Sequence, residues 1–159
     1  MKITNYSSAY AKAIAELFYQ AVHAIDASVY SEQQKQAWAP APIDYQKWQQ
    51  RLAIKQPLVA LIDNQVAGFI ELDPDGHIDC TYVLPKFQGR GVASTLIKYL
   101  LSKAQSLGLT ELYVEASIIA KPVFEKLGFV VEQENSVVRN NTLLTNYSMR
   151  LMLPATANA

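Results

Sequence analysis

Val83-Leu84-Pro85-Lys86-Phe87-Gln88-Gly89-Arg90-Gly91-Val92-Ala93 joins an apolar strand-like run to a long amphipathic segment, and this junction decides the fold. Gly89 and Gly91 permit backbone angles that turn successive N–H groups to one side. The helix that follows contributes the unpaired N–H donors of its first turn and the positive end of its dipole. Strand, glycine loop and helix start together predict a cradle for a diphosphate. Ala93 is small enough for close approach, and Arg90 and Lys86 add charge at the rim. By spacing alone the two glycines fit an ordinary tight turn equally well. The loop lacks the Gly-Lys-Ser/Thr ending of a nucleotide-triphosphate loop. The dinucleotide fingerprint spaces its glycines differently and follows parallel strands.

Outward from the junction, the period of the apolar residues changes twice. After it, Val92, Leu96 and Leu100 share a helical face with Ala93, Ile97, Leu101 and Ala104, and Gly108 ends the helix. Thr110 to Ala116 reads as a strand, Ile119 to Leu127 as a short helix stopped by Gly128, and Phe129–Gln133 and Leu143–Leu153 as the last strands. Before it, 58–62, 66–72 and 77–84 form a meander with turns at Asp63-Asn64-Gln65 and Asp73-Pro74-Asp75-Gly76. The first third is a short strand, Met1 to Tyr6, then helices capped by Ser8, Ser31 and Asp44. The first of these helices carries Ala11, Ile14, Leu17, Phe18, Ala21, Val22 and Ile25 on one face. This order predicts an α/β fold with a mixed sheet of seven strands. One domain is expected over 1–153, with a loose tail at 154–159.

Composition narrows the function classes. The chain has 159 residues, enough for one domain with a real core. Its 14 basic residues balance 14 acidic ones, so the footprint of a nucleic-acid binder is missing and a tRNA-directed activity is disfavoured. The lone cysteine, Cys80, sits in an apolar run and reads as a small core residue. It makes no internal disulfide, and a reducing cytoplasm is the simplest home. The N-terminus lacks the apolar core of a signal peptide, and no apolar stretch approaches the roughly 20 residues of a membrane helix. Two distant histidines and one cysteine supply no zinc spacing, so no metal is expected. The serines lack the elbow of a Ser-His-Asp hydrolase.

Gln88-Gly89-Arg90-Gly91-Val92-Ala93 resembles the Q/R-x-x-G-x-G/A signature of the GNAT superfamily of N-acetyltransferases. Downstream, residues 117–129, from Ser117 to Phe129, resemble that family's N-x-x-A-x-x-x-Y-x-x-x-G-F segment. The order and separation of the motifs agree, and the resemblance spans essentially the whole chain. Ala21-Val22-His23, Gln36 to Pro40 and Asn146-Tyr147-Ser148-Met149 are similar to a bacterial, YafP-like subgroup. The resemblance implies a mostly antiparallel sheet splayed in the middle, flanked by helices, with acetyl-CoA as co-substrate. It implies that the N–H groups from Gln88 through Ala93 (Gln88, Gly89, Arg90, Gly91, Val92, Ala93), with Ser94, bind the pyrophosphate. Val83 would pair its backbone with the pantetheine arm, Leu84 would polarise the thioester carbonyl through its backbone, and Ser117 replaces the usual asparagine. The family's proton-donating tyrosine falls on Phe124, which has no hydroxyl. The thiolate then takes its proton elsewhere, with Tyr147 or Tyr113 as substitutes, or leaves unassisted. A homodimer through C-terminal strands is a further expectation by analogy.

Acetyl transfer to an amine needs a base to take a proton from the nitrogen. By alternation His77, Asp79, Thr81 and Val83 share one side of the strand before the loop. His77 and Asp79 are the candidate bases, histidine because it titrates in the right range. The same residues also fit a strand start beside a turn and a structural carboxylate. Glu71, on the neighbouring strand, would face the acceptor cavity or lie on a solvated face. His23, Asp26, Tyr30, Trp38 and Trp48 are candidate acceptor-lining residues, the aromatics through cation–π contact. Core and inter-helix packing explains them as well. The expected reaction is acetylation of a primary amine on a small molecule. The alternatives are a protein or peptide amine, or an acyl-CoA sensor without turnover, which Phe124 favours.

Overall fold

The computed structural model describes residues 1–154. Its chain order is β1 (Lys2–Asn5), α1 (Ala11–His23), α2 (Glu32–Trp38), α3 (Tyr45–Lys55), β2 (Leu58–Ile62), β3 (Gln65–Leu72) and β4 (His77–Val83). Then follow α4 (Val92–Ser106), β5 (Glu111–Ser117), α5 (Lys121–Lys126), β6 (Val130–Arg139) and β7 (Thr142–Met152). The seven strands form one sheet in the order β1-β2-β3-β4-β5-β7-β6. Every pairing is antiparallel except β4 with β5. The expected fold class is the one found.

Helix α4 packs on one face of β2, β3 and β4, burying Leu96, Ile97 and Leu100; α1 covers the other face with Ile14 and Leu17. A Cβ on Gly68 would meet Val92 Cγ1 at 2.9 Å and Leu96 Cδ1 at 3.2 Å, so glycine there lets the helix lie close against β3. Ser31 and Asp44 cap α2 and α3 as expected, Ser31 in a reciprocal box with Gln34. At the first helix the cap is Ser7, not Ser8: its Oγ accepts from Ala9 N at 3.3 Å and opens a 3₁₀ turn that leads into α1. Helix α1 ends at His23, two residues early, because the buried Lys35 donates to the carbonyls of His23 and Ile25 at 3.4 and 2.7 Å.

The largest departure is the last hairpin. Strands β6 and β7 run through residues expected to be loop, pairing as far as Arg139 with Thr142. Asn140 and Asn141 both adopt positive φ, 47° and 62°, and form a two-residue turn whose twist suits a hairpin. Polar residues on both faces of 132–136 hid the strand from the alternation rule. Of the expected tail, residues 155–159 lie outside those described.

Candidate active site

Strands β4 and β5 pair over two positions, His77 with Tyr113 and Ile78 with Val114, and then diverge. The gap that opens is bordered by the rest of each strand. A bulge in the β3–β4 ladder sets what faces it: Ile70 pairs with Thr81 but Leu72 pairs with Ile78, so Asp79 and Cys80 together oppose Glu71. The bulge overturns the expectation that His77, Asp79, Thr81 and Val83 share one side. Arg51 of α3 reaches both Asp79 and Cys80, while Thr81 and Val83 follow Ile70 and Gly68 toward α4.

The ladder also assigns the backbone. Leu84 N donates to Ala67 O at 2.8 Å, and alternation then directs the N–H and C=O of Thr81 and Val83 away from β3, into the gap. The Val83 N–H is thus free to pair with an inserted extended arm, while its carbonyl accepts from the Gln88 side chain. Leu84 is not: its amide is spent on Ala67, and the expected polarisation of a carbonyl by this N–H is corrected.

One cavity, of about 640 Å³, runs from the gap to the start of α4. Gly89, Gly91, Val92, Ala93 and Ser94 line one end of it. Gly89 and Gly91 have φ of 75° and 78°, and no atom lies within 4 Å of where a Cβ would sit on either. Among the described residues the backbone N–H groups of Gly89, Arg90 and Gly91 have no protein acceptor. Open space, free amides and the end of a 15-residue helix coincide here. Gln88 departs from the expectation: its N–H bonds Pro85 O at 3.2 Å, and its side-chain amide donates to Val83 O at 3.2 Å. Arg90 and Lys86 stack on Phe87, at 5.4 and 5.1 Å from the ring centre.

A second cavity, of about 330 Å³, lies on the α1–α3 side. Trp38, Thr81, Tyr82, Ser117, Ala120 and Phe124 line both cavities, so the two meet at the gap. Tyr30 is buried beneath the second one; it donates to Thr145 O at 2.8 Å and accepts from Ile118 N at 2.9 Å. Trp38 Nε1 donates to the Tyr82 hydroxyl at 3.0 Å. Phe124 is buried edge-on to Phe129, with ring centres 5.0 Å apart. The Ser117 hydroxyl accepts from Ala120 N at 3.1 Å.

The charged floor of this cavity is a network. His77 Nδ1 lies 3.1 Å from Asp73, and Nε2 lies 3.1 Å from both carboxylate oxygens of Glu115. Asp79 is gripped by Lys55 at 2.8 Å and Arg51 at 3.0 Å. Burial works against ionising its carboxyl, but the Lys55 hydrogen bond and the Arg51 charge outweigh it and hold the group below the ordinary aspartate value. Such a carboxylate is a poor base at neutral pH. Burial pushes the Cys80 thiol well up, in keeping with a core residue.

Several expected residues sit elsewhere. Glu71 is neither on a solvated face nor in a cavity wall; it is fully buried and clamps Arg51 through two hydrogen bonds, 3.1 and 2.6 Å. His23 lines neither cavity: it stacks on Tyr19, and its Nε2 lies 2.7 Å from Ala39 O. Trp48 packs between Phe18 and Phe69. Asp26 borders the larger cavity and accepts from Ser28 N. Tyr147 lies outside both walls, under Lys121, with Glu134 raising its hydroxyl. Tyr113 stacks on His77 and donates to Asp75, which raises its hydroxyl to about 12. Sequence reasoning missed Tyr82, Glu115 and Arg51. A tyrosine beside the glycine loop was the one local signal available for Tyr82.

The profile of the Acetyltransferase (GNAT) domain family matches residues 26–151. The chain belongs to the GNAT acetyltransferase family. It is 39% identical over 150 residues, 94% of this chain and 95% of the relative, to the uncharacterized N-acetyltransferase YafP of Escherichia coli K12. A solved GCN5-related N-acetyltransferase from Rhodopseudomonas palustris, described as an aminotransferase of class II, superposes with a TM-score of 0.89 at 37% identity, covering 96% and 95% of the two chains. The fold is also that of yncA, a putative acetyltransferase of Salmonella typhimurium solved with acetyl-CoA: TM-score 0.75, 20% identity, 100% and 97% covered. As a GNAT acetyltransferase this protein is an N-acetyltransferase, and among the described residues no helix is long and apolar enough to cross a membrane.

Proposed function

We propose that this N-acetyltransferase moves the acetyl group of acetyl-CoA to a primary amine of a small molecule, by direct attack of the amine on the thioester. The observation that carries this reading is the meeting of two cavities at the splayed strands. The larger ends in free amides suited to a diphosphate, and the smaller holds the titratable groups. The acetyl-CoA in the Salmonella structure is consistent with cofactor occupying the larger one.

The cofactor's pyrophosphate is held by the N–H groups of Gly89 through Ala93 and by Ser94, and its pantetheine arm pairs with the Val83 backbone as an added strand. Ser117 and Phe124 flank the arm. On the acceptor side, Tyr30 and Trp38 shape the wall. Three contacts tie α2 and the segment before it to the last hairpin: Tyr30 to Thr145, Gln34 to Leu143 at 3.0 Å, and Asn140 to Ala37 at 2.7 Å. A cavity of about 330 Å³, bordered by Trp38 of α2 and by Arg139 and Leu144 of the hairpin, has room for a small amine. Both ring nitrogens of His77 face carboxylates, so the lone pair that takes the amine proton is on Glu115, which lines the smaller cavity and which His77 positions; Asp79 orients Lys55 and Arg51 rather than acting as base. Phe124 supplies no proton to the thiolate. Tyr82 is the tyrosine that borders both cavities along with Trp38, and it replaces Tyr147 as the candidate donor.

Gly91→Asp tests the cofactor site. The new carboxylate projects into open space beside the free amides and opposes the diphosphate. At an effective dielectric near 20, one such pair at about 4 Å opposes binding by about 4 kcal/mol. Calorimetric titration with CoA is expected to show a loss of at least about 100-fold with a folded protein by circular dichroism. Unchanged CoA affinity in the folded variant defeats the assignment.

A further inference from the structure

Among the described residues one buried side-chain polar atom has no hydrogen-bond partner: the hydroxyl oxygen of Thr81. Buried polar groups in native proteins are nearly always satisfied, so an orphan in a cavity wall points to a ligand. Thr81 lines both cavities and lies beyond the last paired residues of β4 and β5, where the cavities meet. The bulge at Asp79 and Cys80 places it there; a regular ladder would have put Thr81 on the Asp79 side. The nearby Leu84 amide already donates to Ala67 O, so it offers nothing to a carbonyl in the gap.

We propose that the Thr81 hydroxyl is a catalytic hydrogen-bond donor to the acyl carbonyl oxygen of the bound thioester, an inference that rests on the acetyl-transfer reading above. The amine lone pair attacks the carbonyl carbon, and the C=O π electrons move to the oxygen, which becomes an oxyanion. Thr81 keeps its proton throughout and donates a hydrogen bond that strengthens as this charge develops. When the carbonyl re-forms, the C–S bond breaks and CoA leaves as the thiolate; the amine proton departs to the Glu115 carboxylate that His77 positions.

The test compares wild type, Thr81→Val and Thr81→Ser. Steady-state acetylation of an amine panel, CoA titration and thermal unfolding are measured on each. Loss of one oxyanion donor predicts a fall in kcat of about 100-fold or more for Thr81→Val, recovery to within about tenfold for Thr81→Ser, and unchanged CoA affinity. Thr81→Val should melt no lower than wild type, because an unsatisfied hydroxyl is removed. A kcat within threefold of wild type in Thr81→Val overturns the proposal. So does a CoA affinity that falls in step with kcat, which would make Thr81 a pantetheine contact, or a serine variant as slow as the valine one, which would make it a packing residue. A readout free of turnover is the carbonyl stretch of bound acetyl-CoA labelled with ¹³C at the carbonyl. Wild type should shift it to lower frequency and Thr81→Val should lose the shift; equal frequencies in the two refute the donor. Failure of wild type to bind acetyl-CoA refutes the acetyl-transfer reading instead.

Discussion

Replacing Arg51 by methionine removes the partner of a carboxylate that has no access to water. Glu71 is 0% exposed and receives two hydrogen bonds from Arg51, at 3.1 and 2.6 Å. Breaking a buried pair from one side typically costs 3–5 kcal/mol, because the remaining charge is left without compensation. Arg51 itself is 34% exposed at the acceptor cavity, and its removal opens a path for water toward Glu71. The lower end of the range, about 3 kcal/mol, is therefore expected for Arg51→Met, or a Tm lower by about 6–12 °C in a chain of this size. Replacing both partners by apolar residues of similar volume removes the stranded charge, and such exchanges are often neutral. The double variant Arg51→Met with Glu71→Met should thus recover most of the loss. Urea unfolding of the four proteins gives the coupling directly. A single-variant cost under about 1 kcal/mol, the range of exposed ion pairs, refutes the argument, as does a double variant no more stable than Arg51→Met.

Asp79 is held below its ordinary value, so its contribution is present at pH 7 and is lost as pH falls through the lowered pKa. Asp79→Asn should therefore melt below wild type at pH 7, with the gap closing below about pH 4, as thermal scans across pH will show. The same variant should keep kcat/KM within about tenfold of wild type, whereas His77→Gln should lower it by about 100-fold in a folded protein; a His77→Gln variant as fast as wild type removes His77 from the mechanism. Tyr82→Phe should lower kcat by about 100-fold if this hydroxyl protonates the leaving thiolate, and a thiol-release assay on the folded variant decides it. Asn141→Val forces a β-branched residue into the left-handed region at φ 62° and should destabilise the chain by about 1–2 kcal/mol in urea, while Asn141→Gly should not.

Local rules make much of this protein legible in its sequence. Helix caps at Ser31 and Asp44, the glycine loop and the amphipathic period of 92–106 depend on neighbours a few residues away, so they can be read from a single stretch. The proposed diphosphate cradle is of this kind: its free N–H groups come from one loop and the helix that continues it. The length of the last hairpin was hidden, because residues 132–136 of its first strand are polar on both faces and only Asn140-Asn141 marks the turn.

The acceptor side belongs to tertiary structure. An alternation rule assumes an unbroken ladder, and the bulge opposite Glu71 exists only in the pairing of two strands. That bulge turned Asp79 toward Arg51 and Lys55, made it a structural carboxylate, and put Thr81 at the edge of the gap on the α4 side. The His77–Glu115 contact crosses 38 positions of sequence and the Arg51–Glu71 clamp crosses 20. A motif records which atoms a short piece of chain can present. Which charge lies beside which base is settled by how the distant pieces pack.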